Sequence, residues 1–550
     1  MGRTIPTCKL ALLAAITLLP FPASASKAPP VEQYVAARIA EISNDNDDAL
    51  AIFLKLYKVS PDSPVLADRI FATAIRSGDM PSAVRAVRAQ ELSGAVSSEA
   101  PLLLFAAAFR QKKWSMASLA VDQLSELGTF SFMAPLLRAW LSVAQNEAYE
   151  LPDVSDDAMF DYYATDQRVY LHLATGQTAK AKLGLRNMAL VGGDPMRDLY
   201  LTAAPIVAAS GDNAFSEALL VTAFGSDNMG MPKAVQPIGR SLRLTSEQGL
   251  SALHNRIASA LLEQQITEPA LTLARIANWY DAGNEPARLT TAKTLIEIGD
   301  NKAALALLAL VAMTSPYWPN AIALKVATLQ ADGDLQRASQ IASEASASAP
   351  ASLRLSTLAA QTRQMGGQWA EAITQYREIV ARSSQGSYSP QQQADFRLLL
   401  ASSLDSSGEW DEAKNQLEAA LILDPNNANV LNYLGYTLLE RNEETARAAE
   451  LVTAAYKLQP GSAAITDSMG WVYFQQGRIN EAVQLLETAA KTSGNDPAIN
   501  EHLGDAYWQA GRRRDARYAW QVAAEVAESD AASRIRTKID VGPAAGRPRP

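Results

Sequence analysis

The sequence predicts an all-α fold, an α-solenoid of helix hairpins that is regular in its C-terminal half and divergent in its N-terminal half. Three observations predict it. Over residues 394–530 one pattern is written four times, starting at Ala394, Ala428, Ala463 and Pro497, so the period is 34, 35 and 34 residues. In each copy small residues stand where two helices must touch: Ala401, Gly435, Gly470 and Gly504 in the first half, then Ala413, Ala448, Ala482 and Ala516 in the second. Large apolar residues fill the space between them, as with Leu434, Leu438 and Val452, or Leu503, Tyr507 and Trp520. A two-helix unit of this length cannot bury its own apolar face and must stack on its neighbours. Gly408, Gly477 and Gly511 mark the turns, with Asn442 in the copy that is one residue longer, and Pro425 and Pro460 close the first two copies.

Composition and charge narrow the function. Apolar residues make up 48% of the 550, charged residues 19% and aromatics 7%, which suits close-packed helices and argues against a β-rich or disordered chain. The formal net charge is −9. Duplex affinity rests on Lys and Arg neutralising phosphates, so nucleic acid is set aside as a partner. Residues 1–25 read as a cleaved signal peptide: Arg3 and Lys9, an apolar run over 10–19, then Ala23-Ser24-Ala25 before Ser26. The run is too short to span a bilayer, and no later stretch holds 18 unbroken apolar residues. Cys8, the single cysteine, precedes the run, so no lipoprotein cysteine follows it and the mature chain has no disulfide or thiol chemistry. The expectation is an exported, soluble, periplasmic chain, with 47 basic residues against 58 acidic once Arg3 and Lys9 are gone.

Residues 26–224 form a divergent helical-repeat region. The acidic run 44–48 fails as a calcium loop, because the required glycine and glutamate positions hold Leu50 and Leu56, and it reads as a helix N-cap cluster. Gly78 with Ala83, and Gly176 with Ala181 and Leu185, mark degenerate turns and second helices; 102–108 with 116–127 read as a buried helix pair, and 136–144 as helical. Asp153, Asp156, Asp157 and Asp161 read as a solvated loop leading into a helix. Residues 225–249 are the least helical stretch and are expected to be a loop or domain junction. Thr245 and Ser246 there cap a helix carrying Leu250, Leu253, Ile257 and Leu261. Residues 250–393 hold degenerate units, marked by Gly299, Ala304, Leu308 and Pro316, by Gly333, Ala338 and Pro350, and by Gly367, Ala372 and Tyr376. Residues 394–530 are the four strong units, and 531–550 a capping helix and a disordered tail.

The period, the small residues at the crossings and the mid-copy turns together resemble the tetratricopeptide repeat (TPR) family, and the fold expected is a solenoid of TPR helix hairpins. In that family the first helix of each pair lines a groove. Carried over by motif match, the groove stripe holds Asp395, Leu398, Ser402 and Asp405 in the first strong copy, then Asn429, Asn432, Tyr436 and Leu439. It continues with Ala464, Asp467, Trp471 and Phe474, and ends with Ala498, Glu501, Asp505 and Trp508. Asn432, Tyr436, Asp467, Trp471, Phe474, Glu501, Asp505 and Trp508 are the expected partner-binding residues. Rigid rings bury apolar side chains and amides pair with a peptide backbone, so the stripe suits an extended or helical peptide. Core packing between units is the competing role for Tyr436 and Trp471. Arg512, Arg513 and Arg514 fall at the last interhelix turn, where solvation competes with an acidic partner or a lipid surface.

Material for catalysis is sparse. His172, His254 and His502 fall in different units, and there is no HExxH, GxxxxGK[ST], GxSxG or strand-borne GxGxxG pattern. No cofactor or metal site and no enzyme activity are expected, and His502 reads as a satisfied lone histidine. The runs at 431–440, 465–490 and 499–520 are similar to long exported TPR proteins of Gram-negative bacteria, some of which are outer-membrane lipoproteins partnering carboxyl-terminal processing proteases. That resemblance implies a periplasmic scaffold or adaptor for a protein or peptide, an envelope protease or cell-wall hydrolase among the candidates. The missing lipoprotein cysteine departs from it. The alternatives are a TPR component of an envelope-assembly or polysaccharide-export machine, and a cell-wall-acting enzyme with its site in the N-terminal half.

Overall fold

The computed structural model describes residues 31–94, 97–153, 155–189, 195–224, 243–386, 388–527 and 529–543. The described residues form twenty-eight α-helices and a short 3-10 turn at Ser131–Met133, with no strand among them, so the fold is an all-α solenoid of helix hairpins. The signal peptide expected over 1–25, the bulk of the 225–249 loop and the tail beyond 543 lie outside the described residues.

The helices fall into two compact units that divide near residue 312. The first runs from helix Val31–Ile42 to helix Asn301–Ala309, the second from Trp318–Ala331 to Ser529–Val541. The sequence marks no boundary near 312; the stretch it marks as a loop or junction is 225–249. Its C-terminal end already belongs to helix Ser246–Glu263, which starts on a capping box between Thr245 and Gln248. That helix packs on Ala134–Ala144 and Ala158–Ala174. Gly249, expected in a loop, lies in its first turn, where a Cβ would stand 2.1 Å from the Trp140 ring. Arg256 of the same helix reaches Asp166 at 2.6 Å, both nearly buried. Arg275, on the next helix, donates to Ile75 O and Arg76 O at 3.1 and 2.6 Å, closing the carbonyl end of helix Pro64–Ser77. These contacts tie residues 246–309 to the N-terminal helices.

The 44–48 cluster stands at the N-terminus of helix Asn46–Val59, with Asp45 at the N-cap and Asp47 and Asp48 in the first turn. Asp45 makes no side-chain cap bond. Asn44 instead donates to Gly299 O at 2.9 Å and Asn46 to Asp300 at 2.8 Å, a tertiary tie within the first unit.

In the second unit the four strong copies are regular. First helices Pro390–Ser406, Ala428–Glu440, Ala463–Gln475 and Pro497–Gln509 alternate with second helices Trp410–Leu423, Thr445–Leu458, Ile479–Thr492 and Arg513–Val526. Each first helix touches its own second helix and the first helix of the next copy, so the first helices form one layer. The expected small residues are the crossing points. A Cβ on Gly435 would meet Val452 at 2.8 Å, one on Gly470 would meet Leu486 at 2.8 Å, and one on Gly504 would meet Trp520 at 2.3 Å. First helices begin on side-chain caps, Ser389, Asn427, Ser462 and Asp496. Second helices begin without one, shortly after a left-handed turn residue: Gly408 (φ +89°), Asn442 (+56°, with Glu444 also at +41°), Gly477 (+73°) and Gly511 (+79°). The expected capping helix is present at Ser529–Val541, burying Ala532 and Ile535 against the last copy.

Candidate partner-binding site

The eight stripe residues do lie along the first-helix layer, but not as an open row. Asp467, Trp471, Phe474 and Glu501 are buried, with Trp471 7% and Phe474 4% exposed, while Asn432, Tyr436, Asp505 and Trp508 are half-buried. Of the two roles open to Trp471, its contacts fit packing between copies. Trp471 is stacked between Phe474 (centroids 4.7 Å, planes 8° apart) and His502 of the next copy (4.2 Å, 18°). Its indole N–H donates to Glu440 of the preceding copy at 2.8 Å. His502 Nδ1 lies 3.0 and 2.9 Å from the two Asp467 oxygens, and its Nε2 is 3.5 Å from the Tyr436 hydroxyl. His502 is satisfied, and its partners lie on two other copies, so it links first helices of three successive copies.

The last two acids of the stripe are taken up by the capping helix. Arg534 makes two bonds to Glu501, and Lys538 reaches Glu501 and Asp505, both at 2.6 Å. Asp505 also accepts from Trp520 Nε1 at 3.0 Å. Trp508 lies against Trp520 and beneath Arg513, whose guanidinium carbon is 3.8 Å from the ring centroid. In the first copy Asp395 accepts from Asn427, and Asp405 from Tyr433 and Arg441.

Electrostatics follow from this convergence. Burial acts to lower the His502 pKa, but the adjoining Asp467 carboxylate, with Glu440 and Asp505 behind it, leaves it above the ordinary histidine value. Burial, and then Glu440, Asp467 and Glu501, push the Tyr436 hydroxyl up, so it stays a neutral donor. Burial acts to raise Glu501, yet its bonds to Arg534 and Lys538 hold it below the usual carboxylate range. What the layer leaves available is narrower than the sequence stripe. Asn429 and Glu440 are exposed, Tyr436 is half-buried, and the buried Oδ1 of half-buried Asn432 has no hydrogen-bond partner. The rings of Trp471, Phe474 and His502 stand beside Tyr436 and Glu440 as a rigid backing. Glu440, Arg534 and Lys538 had no place in the sequence stripe. A signal for two of them was present: a base stands 33 residues after each acid, one repeat onward, at Glu501 with Arg534 and Asp505 with Lys538.

The other two histidines sit in the first unit. His172 Nδ1 is 3.1 Å from the Tyr149 hydroxyl. His254 is fully buried against Tyr280, and burial lowers its pKa to about 4. Among the described residues no three His, Asp or Glu side chains converge as metal ligands, and no helix is long and apolar enough to cross a membrane.

Comparison with known proteins places the repeats by sequence. Residues 398–463 match the tetratricopeptide repeat family and residues 470–511 match the TPR repeat family. A 90-residue stretch is 38% identical to the TPR repeat-containing protein PA4667 of Pseudomonas aeruginosa, covering 16% of this chain and 15% of that protein. Among solved structures, the Cut9–Hcn1 hetero-tetramer of the APC/C aligns over 92% of this chain and 96% of its own at 15% identity, with a TM-score of 0.38. A thermophilic TPR protein of Thermus thermophilus aligns over 34% and 98% at 19% identity, TM-score 0.29, and a MamA structure over 30% and 94% at 20% identity, TM-score 0.24. The chain carries tetratricopeptide repeats over 398–463 and 470–511, the region in which the first-helix layer is built.

Proposed function

We propose that this chain is an exported, non-catalytic scaffold that holds a protein or peptide segment along the first-helix layer of its C-terminal copies, serving an envelope protease or cell-wall hydrolase in the periplasm. The observation that carries it is the half-buried Tyr436, backed by the stacked rings of His502, Trp471 and Phe474, on a first helix that also presents the exposed Asn429 and the half-buried Asn432. Exposed amide side chains pair with a peptide backbone, and preformed rings lower the ordering cost of binding. Trp471 and Phe474 act here by holding this face rigid.

The test is retention of envelope proteins by the immobilised chain, measured against Asn432→Ala with Tyr436→Ala. Loss of retention with unchanged helicity supports the reading; equal retention rejects it. Export is tested separately, by cell fractionation and N-terminal sequencing, with cleavage between Ala25 and Ser26 expected.

A further inference from the structure

The end of the repeat array carries charge of opposite sign to the rest of the chain. Residues 512–550 hold nine Lys and Arg against five Asp and Glu, whereas residues 1–511 hold forty against fifty-three. Four of these arginines cluster at the start of helix Arg513–Val526. Arg512 is satisfied, by Glu487 at 2.9 Å and Asp515 at 2.6 Å. Arg513, Arg514 and Arg517 are exposed, and among the described residues no carboxylate lies within ion-pair distance of them. Arg513 and Arg517 share the ring of Trp508, at 3.8 and 5.6 Å from its centroid, and Arg517 Nε is tethered to Ile539 O at 3.0 Å. The guanidiniums are thus held in place rather than waving in solvent. Local stability does not account for them, since the first turn of a helix is its positive end and favours acids.

The same helix exposes apolar side chains next to these charges. Arg514, Tyr518, Val522 and Val526 follow one another at four-residue intervals, one row along the helix, and Tyr518 is 68% exposed. Basic groups beside an aromatic ring and aliphatic side chains suit a boundary between anionic headgroups and acyl chains. The outer face of a single helix is convex and gives an acidic peptide no groove to lie in. A bilayer surface asks for charge and a few apolar anchors and makes no such demand of shape.

We propose that this basic end of the array docks on an anionic lipid surface. Arg513, Arg514 and Arg517 pair with lipid phosphates, and Tyr518, Val522 and Val526 seat among the headgroups. The acidic remainder of the chain is repelled by the same surface, which favours contact through this basic segment.

The test is co-sedimentation of the full chain, as recovered from the cell, with vesicles of phosphatidylcholine alone or mixed with phosphatidylglycerol. Binding is expected only to the mixed vesicles and should weaken as salt is raised. Replacing Arg513, Arg514 and Arg517 by Gln should lower the partition coefficient roughly a hundredfold. Tyr518→Ser changes no charge and sits on the surface, so it serves as the control should the triple variant misfold; it should lower binding several-fold with the same salt dependence. Equal binding to both vesicle types, or binding untouched by both variants, overturns the proposal. So does arginine-dependent binding of a polyglutamate peptide by a chain that ignores the mixed vesicles.

Discussion

At the scale of single residues, the two buried histidines predict opposite responses to pH in the two units. His254 is held neutral, with its value lowered to about 4 by burial. Its contribution is therefore complete above its unfolded value, near the ordinary histidine pKa, and is lost as pH falls toward the folded one. The loss is on the order of 3 kcal/mol. His502 is shifted the other way: burial opposes its charge, but Asp467 outweighs it. Its contribution is complete below the unfolded value and disappears as pH rises through the raised folded one. Thermal unfolding followed from pH 4 to 9 should show acid weakening the first unit and alkali the second. His254→Gln should flatten the acid limb and His502→Gln the alkaline limb; limbs that survive these changes would mean other groups carry them. Trp471→Ala is a stability change at this site, expected to cost about 3–5 kcal/mol, because the ring is enclosed by Phe474, His502 and Glu440. Nothing about Trp471 in the sequence distinguished a lining ring from a packing ring, since both uses fall on the same helix position.

At the scale of elements, the glycines divide into two kinds that should respond differently to substitution. Gly504→Ala places a methyl 2.3 Å from Trp520, a fully buried ring, and should cost about 1–3 kcal/mol through overpacking. Gly477 has open space around it but a φ of +73°. Gly477→Asn should therefore be mild and Gly477→Val severe, as the natural Asn442 at the equivalent turn indicates. Chemical denaturation of the three variants checks the order. These positions were legible in the sequence because a crossing and a turn each admit few residue types, and those types recur at one period. The filling of the layer by Arg534 and Lys538 left only one mark, a base 33 residues beyond each acid, which is weak because charged residues are common on an exposed terminal helix.

At the scale of the molecule, the division near residue 312 predicts that residues 313–550 fold alone. Expressed by themselves they should melt cooperatively and keep the alkaline limb that depends on His502. A broad, non-cooperative transition would show that the second unit needs the first. The sequence placed its expected junction at 225–249 because turn-forming residues concentrate there. The division near 312 is decided by contacts distant in the chain, such as Arg256 with Asp166, Arg275 with Ile75 and Asn46 with Asp300. None of these pairs repeats, so no periodicity announces them.

Helix Ser529–Val541 stands one period beyond the first helix of the last copy and meets it through the acids a fifth copy would have faced. Stopping the chain before Ser529 would leave Glu501 and Asp505 without their cations and strip the cover from Trp520 and Ala523. Such a truncated chain has a sticky terminus, and light scattering should register growth into chain-to-chain aggregates that salt does not dissolve.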